Sequence, residues 1–156
     1  MGSAAQQGRT GALDDAAAND GFNLVTQQTA EWNAEKAQQI VQSVIDAGTP
    51  FNVIYAENDD MAKGAVAALD KANISHGVGK DVIVMGFDCN KWALEELKAG
   101  NWNYDGQCNP FQASYIDEII KKLENGETIS EKTIIMDEKG FDATTITQED
   151  VDNYGI

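Results

Sequence analysis

Residues 52–69, NVIYAENDDMAKGAVAAL, join an apolar run to an amphipathic segment through four consecutive polar residues. The apolar run predicts a buried strand over 52–56, and the spacing of the apolar positions that follow predicts a helix over 60–72. Asn58 or Asp59 could simply cap this helix, because their side-chain oxygens can accept the free N–H groups of its first turn. A strand followed at once by such a helix is typical of sheets with parallel strands.

The alternation of strands and helices continues on both sides of this stretch. Apolar periodicity predicts helices over 4–18, 33–48, 91–100 and 111–126, and strands over 22–26, 81–87, 103–107 and 132–136. The strand segments are apolar on successive positions, which predicts that both faces of the sheet are covered. The expected fold class is therefore α/β, with an open, doubly wound, mostly parallel sheet. The acidic tail from Gly140 onward is expected to lie over the surface.

Length and charge exclude several classes of function. The 156 residues are enough for one domain with its own core. The net charge is −15, so nucleic acid would be repelled and is an unsuitable partner. The longest apolar runs fall short of the roughly 18 to 20 residues that a membrane span needs. The first residues do not have the pattern of a signal peptide, so the protein is either cytoplasmic or has lost a leader.

The chain has few of the residues that form metal sites or catalytic triads. It contains one histidine, His76, and two cysteines that are far apart in sequence. Cys89 and Cys108 are expected to be free thiols, and a disulfide between them stays open. The sequence has neither a GxGxxG motif nor a P-loop, so we expect no nucleotide cofactor and no metal.

Polar and aromatic residues follow the predicted strands at their carboxyl ends, where open parallel sheets bind ligands. Trp32 follows the first strand, Asn58 the second and Asp88 the third, while Gln107 ends the fourth. Arg9 is the single arginine of the chain. A carboxylate, an arginine fork and amides can bond hydroxyl groups, and an indole face can cover the C–H side of a sugar ring. The set therefore predicts a neutral polyhydroxyl ligand.

Each of these residues also has a purely structural interpretation. Asn58 and Asp88 could cap the helices that follow them. Trp32 could pack at the start of a helix, and Arg9 could be an ordinary surface residue. The common position at one edge of the sheet favours the binding interpretation.

Six segments together resemble type I periplasmic solute-binding proteins, the ribose, galactose and glucose receptors of ABC sugar importers: GSAAQQGRTGAL (2–13), TQQTAEWNAEKA (26–37), AENDDMAKGAVAAL (56–69), GKDVIVMGFD (79–88), ALEELKAG (93–100) and GNWNYDGQCNP (100–110). The resemblance implies that sugar is contacted by Arg9, Trp32, Asn58, Asp88 and Gln107, with Phe87 lining the same pocket. A tryptophan at position 32 resembles the hexose receptors more than the ribose receptor, which has phenylalanine there.

The resemblance also implies that the fold is incomplete. Family members are about twice as long and close two lobes around the ligand. By this comparison 1–107 form the C-terminal lobe without its first strand, 108–136 cross the hinge to the N-terminal lobe, and 137–156 return as a tail. The apolar face of the helix over 111–126 would lack a partner, so we expect association with the missing lobe or with a second copy by swapping.

The implied function is reversible binding of a monosaccharide by an extracytoplasmic receptor that serves an ABC permease. The alternative is the sugar-sensing effector domain of a LacI-like transcription regulator, which would share every quoted motif. The strong acidity favours the transport receptor. An enzyme is disfavoured, because Asp88 alone is placed for acid–base chemistry.

Overall fold

The computed structural model describes residues 2–156. Its helices are α1 (Ala4–Asn19), α2 (Ala34–Asp46), α3 (Asp59–Lys71), α4 (Lys91–Lys98), α5 (Ala113–Glu124) and α6 (Gln148–Tyr154). Its strands are β1 (Val53–Tyr55), β2 (Ile83–Asp88), β3 (Tyr104–Gln107) and β4 (Gly140–Asp142). The α/β class and the mostly parallel sheet are confirmed, and so are α1 to α5 within a few residues at their ends.

The strands form one sheet in the order β1-β2-β3-β4. The first two pairings are parallel, and β2 is in register with β3 from Met85 opposite Tyr104 to Asp88 opposite Gln107. β4 pairs antiparallel with β3. The parallel pairings bring the carboxyl ends of β1, β2 and β3 to one edge of the sheet, where the predicted site residues follow.

The prediction of a strand over 22–26 is wrong. These residues have no regular secondary structure, and Phe22, Leu24 and Val25 are exposed. A cleft of about 800 Å³ is lined by this segment and by β1, together with α1 and α2. β1 is the edge strand of the sheet, and the segment does not pair with it, so the backbone of the segment stays outside the ladder.

The strand predicted over 132–136 is also wrong, because these residues lie outside the sheet and Ile135 is 86% exposed. The segment from Gly140 is mostly exposed, as expected of a surface tail, but it also forms regular structure. β4 occupies the sheet edge beside β3, and α6 buries Val151 completely. Thr147 caps α6 in a reciprocal capping box with Asp150.

The core lies between the sheet and the helices α3, α4 and α6. Trp102 is its largest fully buried side chain, and its ring meets the ring of Trp92 edge to face at a centroid distance of 5.9 Å. Leu69, Leu94 and Leu97 are completely buried around it.

Helix α5 contributes nothing to this core. Its apolar side chains include Tyr115, Ile116, Ile120 and Leu123, and all four are exposed. Phe111, just before the helix, is 65% exposed. No helix within residues 2–156 is both long enough and apolar enough to cross a lipid bilayer.

Candidate functional site

An ion pair between Arg9 and Asp88 lies at the carboxyl end of β2. The Nη2 atom of Arg9, from α1, donates to Oδ1 of Asp88 over 2.9 Å, and both side chains are mostly buried. Arg9 Nη1 also donates to the backbone carbonyl of Glu57. The Tyr55 hydroxyl donates to the carbonyl of Arg9 over 3.0 Å. Arg9 therefore ties α1 to the loops that follow both β1 and β2.

Two aromatic rings flank this guanidinium. Its Cζ atom lies 4.9 Å from the ring centroid of Phe87 and 6.0 Å from that of Trp32, within the range of a cation–π contact. The Phe87 ring meets Tyr55 edge to face at 5.3 Å. Trp32 is 37% exposed, so part of its ring surface is open to solvent. The structure thus brings Arg9, Trp32, Phe87 and Asp88 together.

Asn58 has the structural role that the sequence allowed. Its Oδ1 accepts from the backbone N–H of Met61 over 2.9 Å, so it is the N-cap of α3, and its side chain is buried. Asp88, by contrast, does not cap the next helix, because the N-cap of α4 is Asn90. The carboxylate of Asp88 is directed to Arg9 instead.

Gln107 lies beside Asp88, since the two residues are opposite each other in the β2–β3 ladder. Its backbone N–H donates to the carbonyl of Lys139 over 2.8 Å. Its Oε1 accepts from the Lys139 backbone N–H over 3.2 Å. These bonds hold Gln107 between β2 and the segment that leads into β4.

The protonation of Asp88 is set by two opposing effects. Burial raises its pKa above that of an ordinary aspartate, and the hydrogen bond and charge of Arg9 lower it. Asp60, an exposed carboxylate in the first turn of α3, adds a smaller upward effect. The ion pair with Arg9 favours the carboxylate form, which is the form that accepts hydroxyl protons.

The large cleft and the polar cluster are neighbours rather than one cavity. Trp32, Tyr55 and Glu57 line the cleft, whereas Arg9 and Asp88 do not. The cleft lies on the β1 side of the sheet, where the segment over 22–26 does not pair with a strand. The chemistry that suits a hydroxylated ligand is therefore at the rim of this cleft.

A family model described as a periplasmic binding protein domain matches residues 1–128, most of the chain. The chain belongs to the periplasmic binding protein family. This match and the architecture of the sheet agree with each other and with the resemblance drawn from the sequence.

Relatives of this periplasmic binding protein chain include sugar import proteins. The fructose import binding protein of Bifidobacterium longum is 31% identical over 132 residues, covering 83% of this chain and 38% of that protein. The ribose import binding protein of Bacillus subtilis is 32% identical over 81 residues, covering 52% of this chain and 25% of that protein. A solved solute binding protein from Actinobacillus succinogenes with bound D-allose has a TM-score of 0.76 and 29% identity, covering 96% of this chain and 50% of that one. The chain thus spans half or less of these relatives.

Sequence reasoning missed two residues of the site in this periplasmic binding protein chain. Glu57 accepts from Arg9 through its carbonyl and from the Thr10 hydroxyl through its carboxylate. Thr10 follows Arg9 directly, and Glu57 opens the polar cluster after β1. The strand-end position of this cluster led to the choice of Asn58 as a binding residue, and the same signal applies to Glu57, which was not chosen.

The described part of the periplasmic binding protein chain, residues 2–156, has no group of three or more His, Cys, Asp or Glu side chains arranged for a metal ion. Cys89 is buried, Cys108 is exposed, and both are free thiols. Burial raises the pKa of the Cys89 thiol far above its ordinary value.

Proposed function

We propose that the chain binds a monosaccharide, a hexose in preference to a pentose, as part of the extracytoplasmic solute receptor of an ABC sugar importer. The observation that carries the proposal is the Arg9–Asp88 pair beside the rings of Trp32 and Phe87. The relatives named for fructose and ribose import support a sugar ligand and a transport role rather than a transcription regulator. The proposed work is reversible binding without catalysis.

The site residues make both polar and apolar contacts with the proposed ligand. Asp88 accepts from ring hydroxyls, and Arg9 donates to ring or hydroxyl oxygens. Trp32 stacks on the C–H face of the sugar, and Phe87 lines the same side. The preference for a hexose rests on Trp32, because an indole covers a larger ring surface than a phenyl group does.

The amide residues have narrower roles in this proposal. Asn58 uses its oxygen to cap α3, so its amide nitrogen is the group that it offers to a hydroxyl. Gln107 is held by Lys139 on the strand next to Asp88 and is proposed to act at the hinge.

The whole protein is proposed to contain a second lobe. In this division 1–107 form the sugar-binding lobe, 108–136 cross the hinge, and 137–156 return. The exposed apolar side of α5 supports the proposal: Ile116, Ile120 and Leu123 are each about half exposed, so burial would give each about half of the roughly 1.5–3 kcal/mol of a fully exposed side chain. That burial occurs against the second lobe or against a second copy of the chain by swapping. A concentration-independent monomer of this chain in sedimentation, with α5 folded, would contradict the association of α5 with a second copy.

The test of sugar binding is a chemical-shift titration of the ¹⁵N-labelled chain with fructose, ribose, allose, glucose, galactose and myo-inositol. Amide and indole shifts report weak binding, which suits a lobe that supplies part of the contacts. The expected result is a saturable shift of the Trp32 indole N–H and the Asp88 amide with one of the hexoses. The Asp88→Asn variant should lose the response.

A matched control is Asp60→Asn, which removes an exposed carboxylate from the first turn of α3. This variant should keep the response of the unmodified chain. Shifts that are equal in both variants, or absent with all six compounds, would oppose the proposal. A response to ribose alone would retain the sugar receptor and overturn the preference for a hexose.

A further inference from the structure

The turn that presents Asp88 has an unusual backbone conformation. The φ angles of Asp88 and Cys89 are 112° and 61°, in a region that residues other than glycine rarely adopt. Such a conformation persists only where the surrounding structure holds it. The position of the Asp88 carboxylate therefore depends on whatever holds this turn.

Asp59 holds the turn from the first residue of α3. Its Oδ2 accepts from the backbone N–H of Asn90 over 2.8 Å and from the Asn90 side-chain amide over 3.0 Å. Ile156 holds the turn from the other end of the chain, since it donates to the Cys89 carbonyl over 3.0 Å and accepts from the Lys91 N–H over 2.9 Å. Asp59 is the only side chain in the described residues that bonds to Asn90, and it is fully buried.

The carboxyl group of Asp105, on β3, faces that of Asp59 in this buried position. No hydrogen bond of ordinary geometry reaches either oxygen of Asp105 in residues 2–156, although the nearby Cys89 backbone N–H lowers the pKa of this carboxyl, and Oδ1 of Asp59 lacks a partner as well. β2 makes room for that oxygen, because a Cβ at Gly86 would lie 2.7 Å from it. Three unpartnered carboxyl oxygens in a closed space imply that a proton is present, because ionising both of two facing, buried carboxyl groups costs a large free energy.

Hydrogen bonding decides where the proton resides. Asp59 already accepts two bonds on Oδ2, which favour its carboxylate, so the acid is Asp105 and its O–H can donate to Oδ1 of Asp59. Burial raises the pKa of Asp59 to about 6, and burial together with the Asp59 charge raises the pKa of Asp105 to about 9. The other titratable groups that face the pair are Asp88 and Cys89, and neither brings a positive charge.

We propose that Asp59 and Asp105 share one proton and that Asp59, through Asn90, is a positioning residue for Asp88. When the proton leaves Asp105 for solvent, two carboxylates face each other and the hold on the turn weakens. The consequence for ligand binding rests on the proposed function. The link between the carboxyl pair and the turn does not, because it is observable without a sugar.

The test follows the carboxyl ¹³C signals of Asp59 and Asp105 and the amide signals of Asp88 and Asn90 in the labelled chain as pH rises. The expected result is an Asp105 midpoint several pH units above the ordinary value of about 4. The two amides should shift with that same midpoint. In Asp105→Asn an amide N–H replaces the shared proton, so the alkaline shift of both amides should disappear, while Asp60→Asn should retain it.

Two results would overturn the proposal. One is an Asp105 midpoint near the ordinary value, and the other is an unchanged alkaline shift of the Asn90 amide in Asp105→Asn. If that variant does not fold, Asp105→Val removes the titrating group with an apolar side chain of similar size and carries the same expectation. A sugar titration below and above the Asp105 midpoint separates the proposals: absence of binding at both values refutes the receptor, whereas the amide titration alone decides the shared proton.

Discussion

Replacing Gly64 by alanine should destabilise the chain, although alanine is the better helix former. Gly64 lies in the middle of α3 and is buried against α2. A Cβ at this position would lie 2.0 Å from the carbonyl oxygen of Ala34 and 2.7 Å from its carbonyl carbon. The obstacle is helix backbone, so the contact can be relieved only if α2 and α3 move apart by about 1 Å, from 2.0 to at least 3.0 Å.

The balance of two effects gives the size of the loss. Alanine gains about 1 kcal/mol over glycine in a helix interior. Overpacking that shifts backbone costs about 1–3 kcal/mol and sometimes more. We expect a net loss of about 2 kcal/mol, because the contact is far inside normal separation. Trp32 lies two residues before the start of α2, so its indole signal should move as well.

Urea denaturation of both the unmodified chain and Gly64→Ala measures the effect. Gly8→Ala is the matched control, because nothing lies within 4 Å of a Cβ at Gly8 in α1. It should be neutral or more stable by up to about 1 kcal/mol. Equal or higher stability of Gly64→Ala, without movement of the Trp32 signal, would refute the close packing of α2 on α3.

Three further predictions concern protons and thiols. Because burial and the charge of Asp59 raise the pKa of Asp105 to about 9, the folded chain retains a proton that the unfolded chain releases near about pH 4. The free energy of unfolding should therefore fall as pH rises from about 4 to about 9, by up to about 1.4 kcal/mol per pH unit from this group. Urea denaturation measures this dependence, and Asp105→Asn should make the plot of unfolding free energy against pH flatter. Arg9→Met should raise the pKa of Asp88 further and cost about 1–3 kcal/mol of stability, as measured by carboxyl ¹³C titration and denaturation; an unchanged pKa would contradict the ion pair. Cys108 should react with Ellman's reagent in the native chain and Cys89 only after denaturation, and equal native rates would contradict the burial of Cys89.

The helices could be predicted because their signal is local. The apolar stripe of α2 and the cap of α3 lie within single segments of sequence, and both appear in the structure. A strand also depends on a neighbouring strand to pair with, and the local apolar pattern does not identify that neighbour. Residues 22–26 and 132–136 are as apolar as β1, yet they have no strand beside them and stay outside the sheet. β4 was missed for the converse reason, since pairing with β3 makes a strand of a segment with weak propensity.

Part of the site could be predicted from topology. Parallel strands put their carboxyl ends at one edge, and this rule brings Asp88 and Gln107 side by side. The partner of Asp59 could not be predicted in the same way. Asp59 was interpreted as a possible cap of α3, and Asp105 lies 46 positions later in β3, so only the three-dimensional structure shows that they face each other.

Asp88 docks α1 through Arg9 and is also the proposed ligand-binding carboxylate. α1 buries no residue completely, and polar contacts of Arg9 and Thr10 join it to the site. Arg9 uses Oδ1 of Asp88, so a hydroxyl that bonds to Oδ2 adds an interaction without displacing the guanidinium. If the proposed ligand bonds to Oδ2, the ion pair is retained, and α1 is expected to stay docked both with and without ligand. It follows that Asp88→Asn weakens the docking of α1 even without ligand, whereas a substitution of Trp32 removes one cation–π contact of Arg9 and leaves the ion pair with Asp88 in place.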